Sequence, residues 1–234
     1  MSLKAVFIDV GNTLLYEKPS RFEIYAERAR SRGVQLDAGE MRKCMQRAHR
    51  ELPREIGGAW RYSDPWFGLY IERIFRDYLG LLEADLHPVR DELFERFSDP
   101  STFEVFAGGR ELLEDLHTRG LKVGIISNWS ARLPRLLTDL GITQHVDFVL
   151  CSAIERVEKP DPLIYERALQ LAGVRPDEAL HAGDDIEKDL LGPRRVGLRS
   201  ILVDHAGEID PAHAPRVGSL FELHEVVARL MTHG

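Results

Sequence analysis

Apolar positions along the chain fall into two textures. A short apolar run from Lys4 to Ile8 stops at the polar loop Asp9-Val10-Gly11-Asn12-Thr13, the mark of a buried strand entering a loop. From about residue 20 to residue 97, apolar residues recur at helical spacing, as in Phe22, Ile24, Tyr25 and Ala29 and again in Leu69, Ile71, Ile74, Phe75 and Tyr78. No convincing strand is predicted there. Asp37 with Glu40 three residues on fits a capping box, and Asp64-Pro65 fits an N-cap with proline at the first helical position. Gly33, Gly57-Gly58 and Gly80 stand where helices would end. After Pro100 the pattern alternates: helices are predicted over 109–119, 131–140, 162–172 and 187–196, and strands over 122–126, 148–151, 179–182 and 200–203. Residues 205–217 read as a mobile connection and 219–231 as a closing helix.

Strands alternating with helices of about ten residues imply right-handed crossovers and a parallel sheet covered on both faces. The fold class is therefore α/β, a doubly wound, Rossmann-like core. The first strand belongs to that sheet, yet about eighty helical residues separate it from the rest, so they form an insertion seated on the core as a cap. The expected division is 1–16 with 101–234 for the core and 17–100 for the helical cap domain. Tyr16, Glu17 and Lys18 lie where the chain leaves the core, a candidate hinge for lid closure.

Composition narrows the class without naming a partner. The 234 residues are 44% apolar and 29% charged, with a net charge of -7 and both signs interspersed, which gives no footprint for nucleic acid. A phosphate pocket remains compatible with that charge, because screening limits the global field to about 8 Å at physiological salt. No secretory signal and no membrane-length apolar run is legible, so a cytoplasmic location is expected. The two cysteines, Cys44 and Cys151, fall in different expected domains and read as buried or incidental thiols.

In open parallel sheets ligands bind beyond the carboxyl ends of the strands, where Asp9, Ser127 and Gly183-Asp184-Asp185 all fall. Each has a plain reading too: Asp9 as loop chemistry, Ser127-Asn128 as turn residues, Lys159 as a surface lysine, and the acids after Gly183 as partners of a helix dipole. Pro160 does set Lys159 in a loop rather than on a helix face.

Together these features resemble the four signature motifs of the haloacid dehalogenase superfamily, in the family's order: Asp9-Val10-Gly11-Asn12-Thr13-Leu14-Leu15, Ser127-Asn128, Lys159-Pro160, and Gly183-Asp184 with Asp189 five residues on. Glu158 to Pro162 and His181 to Asp185 extend the likeness, and the helical insertion resembles the family's C1-type cap. The resemblance implies a phosphatase-like hydrolase of small phosphorylated substrates, with Asp9 as nucleophile forming an aspartyl-phosphate. It further implies Mg²⁺ held by Asp9, Asp184 and the backbone carbonyl of Gly11. Ser127 would then donate to a phosphoryl oxygen and Lys159 would neutralise charge, with Asn128 and Trp129 also in contact with the phosphate or substrate. Asp189 and Asp185 would stand behind these groups, holding Lys159 or a metal-bound water. Trp129 is placed to wall the entrance, whereas Trp60, Tyr62, Trp66, Phe67 and Tyr70 read as cap core or as pocket lining. A monomer or homodimer is compatible with all of this.

One position departs from the family's phosphatases, which usually carry a second Asp where this chain has Gly11. That Asp acts as general acid and base, a role worth about 10² to 10⁴ in rate, and the Asn12 amide does not titrate. Three readings follow. They are a phosphatase for good leaving groups or one with its acid supplied elsewhere, a dehalogenase or phosphonate-cleaving enzyme, and a phosphate-binding pseudoenzyme.

Overall fold

The structure is a computed structural model that describes residues 2–232. The chain divides into two compact units, Met1–Tyr16 with Val105–Gly234, and Glu17–Glu104. Strand β1 (Ala5–Ile8) opens the first unit, and β2 (Leu15–Glu17) follows the loop after it.

The second unit contains α1 (Arg21–Arg30), α2 (Ala38–Glu51), β3 (Glu55–Ile56), β4 (Ala59–Trp60), α3 (Asp64–Glu72) and α4 (Glu83–Arg96). A π-helical turn over Arg73–Tyr78 continues α3. The capping box at the start of α2 forms as expected: Asp37 Oδ1 accepts from Glu40 N at 2.8 Å and Asp37 N donates to Glu40 at 2.9 Å. Two local expectations are corrected. Gly57-Gly58 does not end a helix but turns β3 into β4, an antiparallel hairpin, because consecutive glycines at φ of 54° and 83° supply a turn with two left-handed residues. The cap of α3 is Ser63, whose side chain accepts from Trp66 N; Asp64 is already helical and adds negative charge to the first turn. Trp66 and Tyr70 are core residues of this unit, stacked at 5.4 Å, and each tip meets a backbone carbonyl: Trp66 Nε1 that of Pro53, Tyr70 OH that of Met45.

The first unit resumes after β5 (Phe103–Val105), which pairs with β2. There follow α5 (Gly109–Thr118), β6 (Lys122–Ser127), α6 (Leu133–Asp139), β7 (Phe148–Cys151), α7 (Ser152–Glu155), α8 (Pro162–Ala172) and β8 (Ala179–Gly183). The chain closes with α9 (Gly192–Arg194), β9 (Arg199–Val203), β10 (Arg216–Val217) and α10 (Leu220–Thr232). The segment expected as one helix over 187–196 is instead a π-helical turn, Ile186–Leu191, leading into α9. The 205–217 connection is anchored more than its composition suggests: Asp204 accepts from Glu208 N and Ile209 N, and the segment ends as β10.

The sheet order is β10-β9-β8-β1-β6-β7, and every adjacent pair is parallel. This is the expected α/β, Rossmann-like core. β1 is fully buried because both neighbours and both covering layers are in place; Ala5 and Phe7 join one core cluster with Ile164, Tyr165 and Leu169 of α8. The order runs from β1 out to β6 and β7, then returns across β1 to β8, so the crevice at the carboxyl end of β1 lies at the switch point of the sheet.

Gly124, inside β6, is dictated by close packing. A Cβ there would overlap the Phe148 ring and press on Phe7. Gly124→Ala is expected to cost about 1–3 kcal/mol, the usual penalty for forcing atoms into a filled core. Urea denaturation with an unchanged slope and a lowered midpoint is the check.

Candidate active site

The carboxyl ends of β1 and β8 carry a buried charge cluster. Asp9 continues the ladder past β1, its N–H donating to Ala182 O at 2.9 Å, so its carboxylate issues from a fixed backbone. Lys159 is 2% exposed, and its Nζ lies 2.7 Å from Asp9 Oδ1 and 2.6 Å from Asp189 Oδ1. The lysine's backbone is clamped by Asn128, whose Oδ1 accepts from Lys159 N at 2.8 Å and whose Nδ2 donates to Lys159 O at 2.9 Å. Those two bonds hold the Lys159 backbone to the Asn128 amide at both its N–H and its carbonyl.

Asp189 reaches the cluster only because residue 183 is glycine: a Cβ there would overlap the Asp189 carboxyl group. Asp189 Oδ2 accepts from Asp185 N at 3.1 Å. The Asp185 side chain is turned elsewhere, capping the next turn through Glu187 N and Lys188 N and pairing with Lys188 Nζ. Asp184 takes the strand tip, where Asn12 Nδ2 donates to its Oδ2 at 3.3 Å; Asn12 sits at φ 55°, a left-handed conformation that asparagine tolerates.

Ser127 ends β6 beside β1 and is buried. Gly11 lies in the loop after Asp9, in a bridge with Leu15. Trp129 is half-buried and its backbone is held by Ser152 Oγ and Cys151 Sγ. The Cys151 thiol is fully buried and pushed up to about 11 by that burial. The structure thus gathers Asp9, Lys159, Asp184 and Asp189 directly and brings in Asn128 and Asp185 through backbone contacts.

Electrostatics follow from this geometry. Carboxylate oxygens of Asp9, Asp184 and Asp189 lie within 4.8 Å of one another, with Lys159 as the ammonium among them. Burial pushes Asp189 up, but Lys159 and His181 outweigh it and hold this carboxyl well below the usual range. Burial likewise presses Lys159 down, and the charges of Asp189 and Asp9 more than reverse it. Asp9 is raised by burial, with Lys159 pulling against that. Asp184 is raised to about 7, first by burial and then by the charges of Asp9 and Asp189. Three acids against one base leave negative charge unbalanced. A divalent cation suits that surplus, and the all-oxygen donor set suits Mg²⁺ better than zinc. Since Asp189 is committed to Lys159, His181 and Asp185 N, the side chains that fit the ion are Asp9 and Asp184.

Two histidines carry contacts for which the sequence assigns no role. His181 is fully buried in β8; its Nε2 lies 2.8 Å from Asp189 Oδ1, while Nδ1 has no partner among the described residues. An orphaned buried nitrogen of this kind costs about 1–3 kcal/mol. Its signal was legible as a lone polar residue in an apolar strand, two positions before Gly183 and therefore on the same face. His205 bonds the Thr13 carbonyl at 2.9 Å and stacks on Phe106 at 3.7 Å, and Phe106 in turn meets Tyr16 at 4.6 Å. A loop histidine offers no pattern from which this could be read.

Residues 3–197 match the haloacid dehalogenase-like hydrolase family. The chain belongs to that family. It is a hydrolase by membership, and similar proteins span nearly its whole length. Human haloacid dehalogenase-like hydrolase domain-containing protein 3 is 32% identical over 90% of this chain and 86% of its own. A phosphoserine phosphatase of Thermus thermophilus is 31% identical over 94% of this chain and 98% of its own. Among solved structures, a phosphatase of the family from Thermococcus onnurineus shares the fold with a TM-score of 0.69, at 24% identity, over 96% of this chain and 98% of that one.

The raised Asp184 sets a pH dependence for the haloacid dehalogenase-like site. Folded Asp184 keeps its proton up to about 7 while the unfolded chain releases it near 3.8, so its contribution to stability declines as pH rises between those values. A cation competes with that proton. The Mg²⁺-induced rise in Tm is therefore expected to be small at pH 5 and to grow through pH 7, and Asp184→Asn should remove the growth. Scanning calorimetry of both proteins with and without MgCl₂ makes the measurement.

Proposed function

We propose that the chain is a Mg²⁺-dependent phosphohydrolase of small phosphorylated metabolites, working through an aspartyl-phosphate on Asp9. The observation that carries this reading is the placement of Asp184 against Asp9, where burial and neighbouring charge leave a carboxylate without a counter-ion. Kinship with a protein named phosphoserine phosphatase points the same way.

Asp9 attacks phosphorus, the phosphoryl group passes to its carboxylate, and the leaving oxygen departs with the bonding pair; water then attacks phosphorus and restores Asp9. Lys159 favours the ionised form of Asp9 against the burial that opposes it and faces the charge that spreads over the phosphoryl oxygens, while Ser127 donates to one of them. Asn128 holds Lys159 in place, and Trp129 walls the entrance. Asp9, Asp184 and the Gly11 carbonyl would hold Mg²⁺, which when bound supplies charge neutralisation as a Lewis acid. Asp189 fixes Lys159, and Asp185 fixes Asp189 by its backbone. No helix among the described residues is long and apolar enough to cross a membrane, and the reading places the enzyme in the cytoplasm, as monomer or homodimer.

Gly11 brings no proton to the leaving oxygen, and the Asn12 amide is bonded to Asp184. Substrates whose leaving group needs no proton, such as acyl and enol phosphates, are therefore favoured. Mg²⁺-dependent phosphate release is expected from acetyl phosphate and aryl phosphates and to be weak from sugar phosphates. Asp9→Asn should abolish it, and Gly11→Asp should raise the rate on sugar phosphates by about 10² or more. Absence of release from every substrate by both wild type and Gly11→Asp would exclude phosphohydrolysis in favour of dehalogenation, phosphonate cleavage or binding alone.

A further inference from the structure

We propose that His181 is a positioning residue of this site: by donating from Nε2 to Asp189 Oδ1, the oxygen that Lys159 also holds, it keeps the Lys159 ammonium shared with Asp9. The kinetic part of the inference rests on the phosphohydrolase reading; the geometric part does not.

The plain alternative is a histidine that merely fills space. Its ring does meet Tyr165 edge-on at 5.8 Å, but an apolar side chain of similar size would serve that contact without burying an unpartnered Nδ1. The bond to Asp189 is the ring's one hydrogen bond among the described residues. Its direction follows from its partner: Asp189 is an ionised carboxylate that only accepts, so Nε2 must carry the hydrogen, and burial, which disfavours the imidazolium, leaves the lone pair on Nδ1. Strand alternation aims the ring. His181 and Gly183 share a face of β8, Asp189 rests on Gly183, and the carboxylate thus comes within reach of the imidazole.

The consequence lies in how Lys159 is divided. Asp189 Oδ1 takes two donors, Lys159 at 2.6 Å and His181 at 2.8 Å, while Oδ2 is held by Asp185 N. A carboxylate oxygen already bonded to an imidazole attracts a second donor less. The ammonium consequently stays about equally close to Asp9, at 2.7 Å. Without the imidazole, Asp189 draws Lys159 toward itself and away from the nucleophile and the phosphoryl group.

The test is a double-mutant cycle on the full-length protein with Mg²⁺ and acetyl phosphate, using His181→Leu, His181→Gln, Asp189→Asn and the pair His181→Leu/Asp189→Asn. His181→Leu is expected to lower kcat about 10-fold, the scale on which supporting hydrogen bonds act, with KM within about threefold. His181→Gln, which keeps a donor, should recover most of the loss. In the Asp189→Asn background, His181→Leu should change kcat less than about twofold, because the effect runs through Asp189. Unchanged kcat in His181→Leu, or the same tenfold loss with and without Asp189, overturns the proposal. A ¹⁵N spectrum of the wild-type imidazole needs neither turnover nor a folded variant: hydrogen on Nε2 supports it, and hydrogen on Nδ1 or on both nitrogens overturns it. If wild type releases no phosphate while Nε2 carries the hydrogen, the phosphohydrolase reading fails and the positioning geometry stands.

Discussion

A single ammonium buried between two carboxylates holds the centre of the first unit together. Lys159 is surrounded by Asp9 and Asp189 at hydrogen-bond distance, and none of the three is solvated enough to stand alone. Removing one member of such a buried set leaves its partner's charge uncompensated, at a cost of about 3–5 kcal/mol. That constraint reaches outward. It demands a clamp on the Lys159 backbone, which Asn128 supplies, and a glycine under Asp189, which residue 183 supplies. The ion pair itself adds little net stability, since desolvation offsets much of the attraction. What it fixes is geometry: the tip of β1, the π-helical turn after β8 and the loop of Lys159 meet at one nitrogen.

Much of this was legible because the residues that form it are punctuation in the chain. An acid directly after an apolar strand, a Ser-Asn pair at a strand end, a lysine before proline, and a glycine before paired acids each break a periodic pattern, and the four together resemble one family. The core elements were equally legible, since helices such as Pro162–Ala172 carry both their start signal and their period. Illegible features depend on partners distant in sequence or on one-residue choices. Ser63 and Asp64 are both good caps, and only the backbone decides between them. Gly57-Gly58 is a helix stop or a hairpin turn depending on whether short flanking segments find each other. β10 is a strand only because β9 offers an edge.

The roles of Asn128 and Asp185 show a further limit. From sequence, Asn128 reads as a substrate contact and Asp185 as a support for Lys159 or a metal-bound water. In the structure, the Asn128 amide is committed to the backbone of Lys159, and the Asp185 carboxylate to the helical turn that carries Asp189. Their chemistry is spent on holding other side chains still. The unbalanced acid left over is Asp184, and that remainder is what makes a cation chemically reasonable at this strand tip.

The order of strands also bears on how the chain is born. β1 emerges first during synthesis, yet its two neighbours in the sheet, β6 and β8, begin at Lys122 and Ala179. For much of translation this apolar strand has no ladder to join, and the bond between Lys159 and Asp9 spans 150 residues. Folding dominated by such distant pairings is slow and exposes apolar segments to aggregation. Asp9 therefore stays without its buried partners on the ribosome until Lys159 and Asp189 have cleared the exit tunnel, while the helical insertion, whose core is drawn from its own residues, has everything it needs to fold earlier.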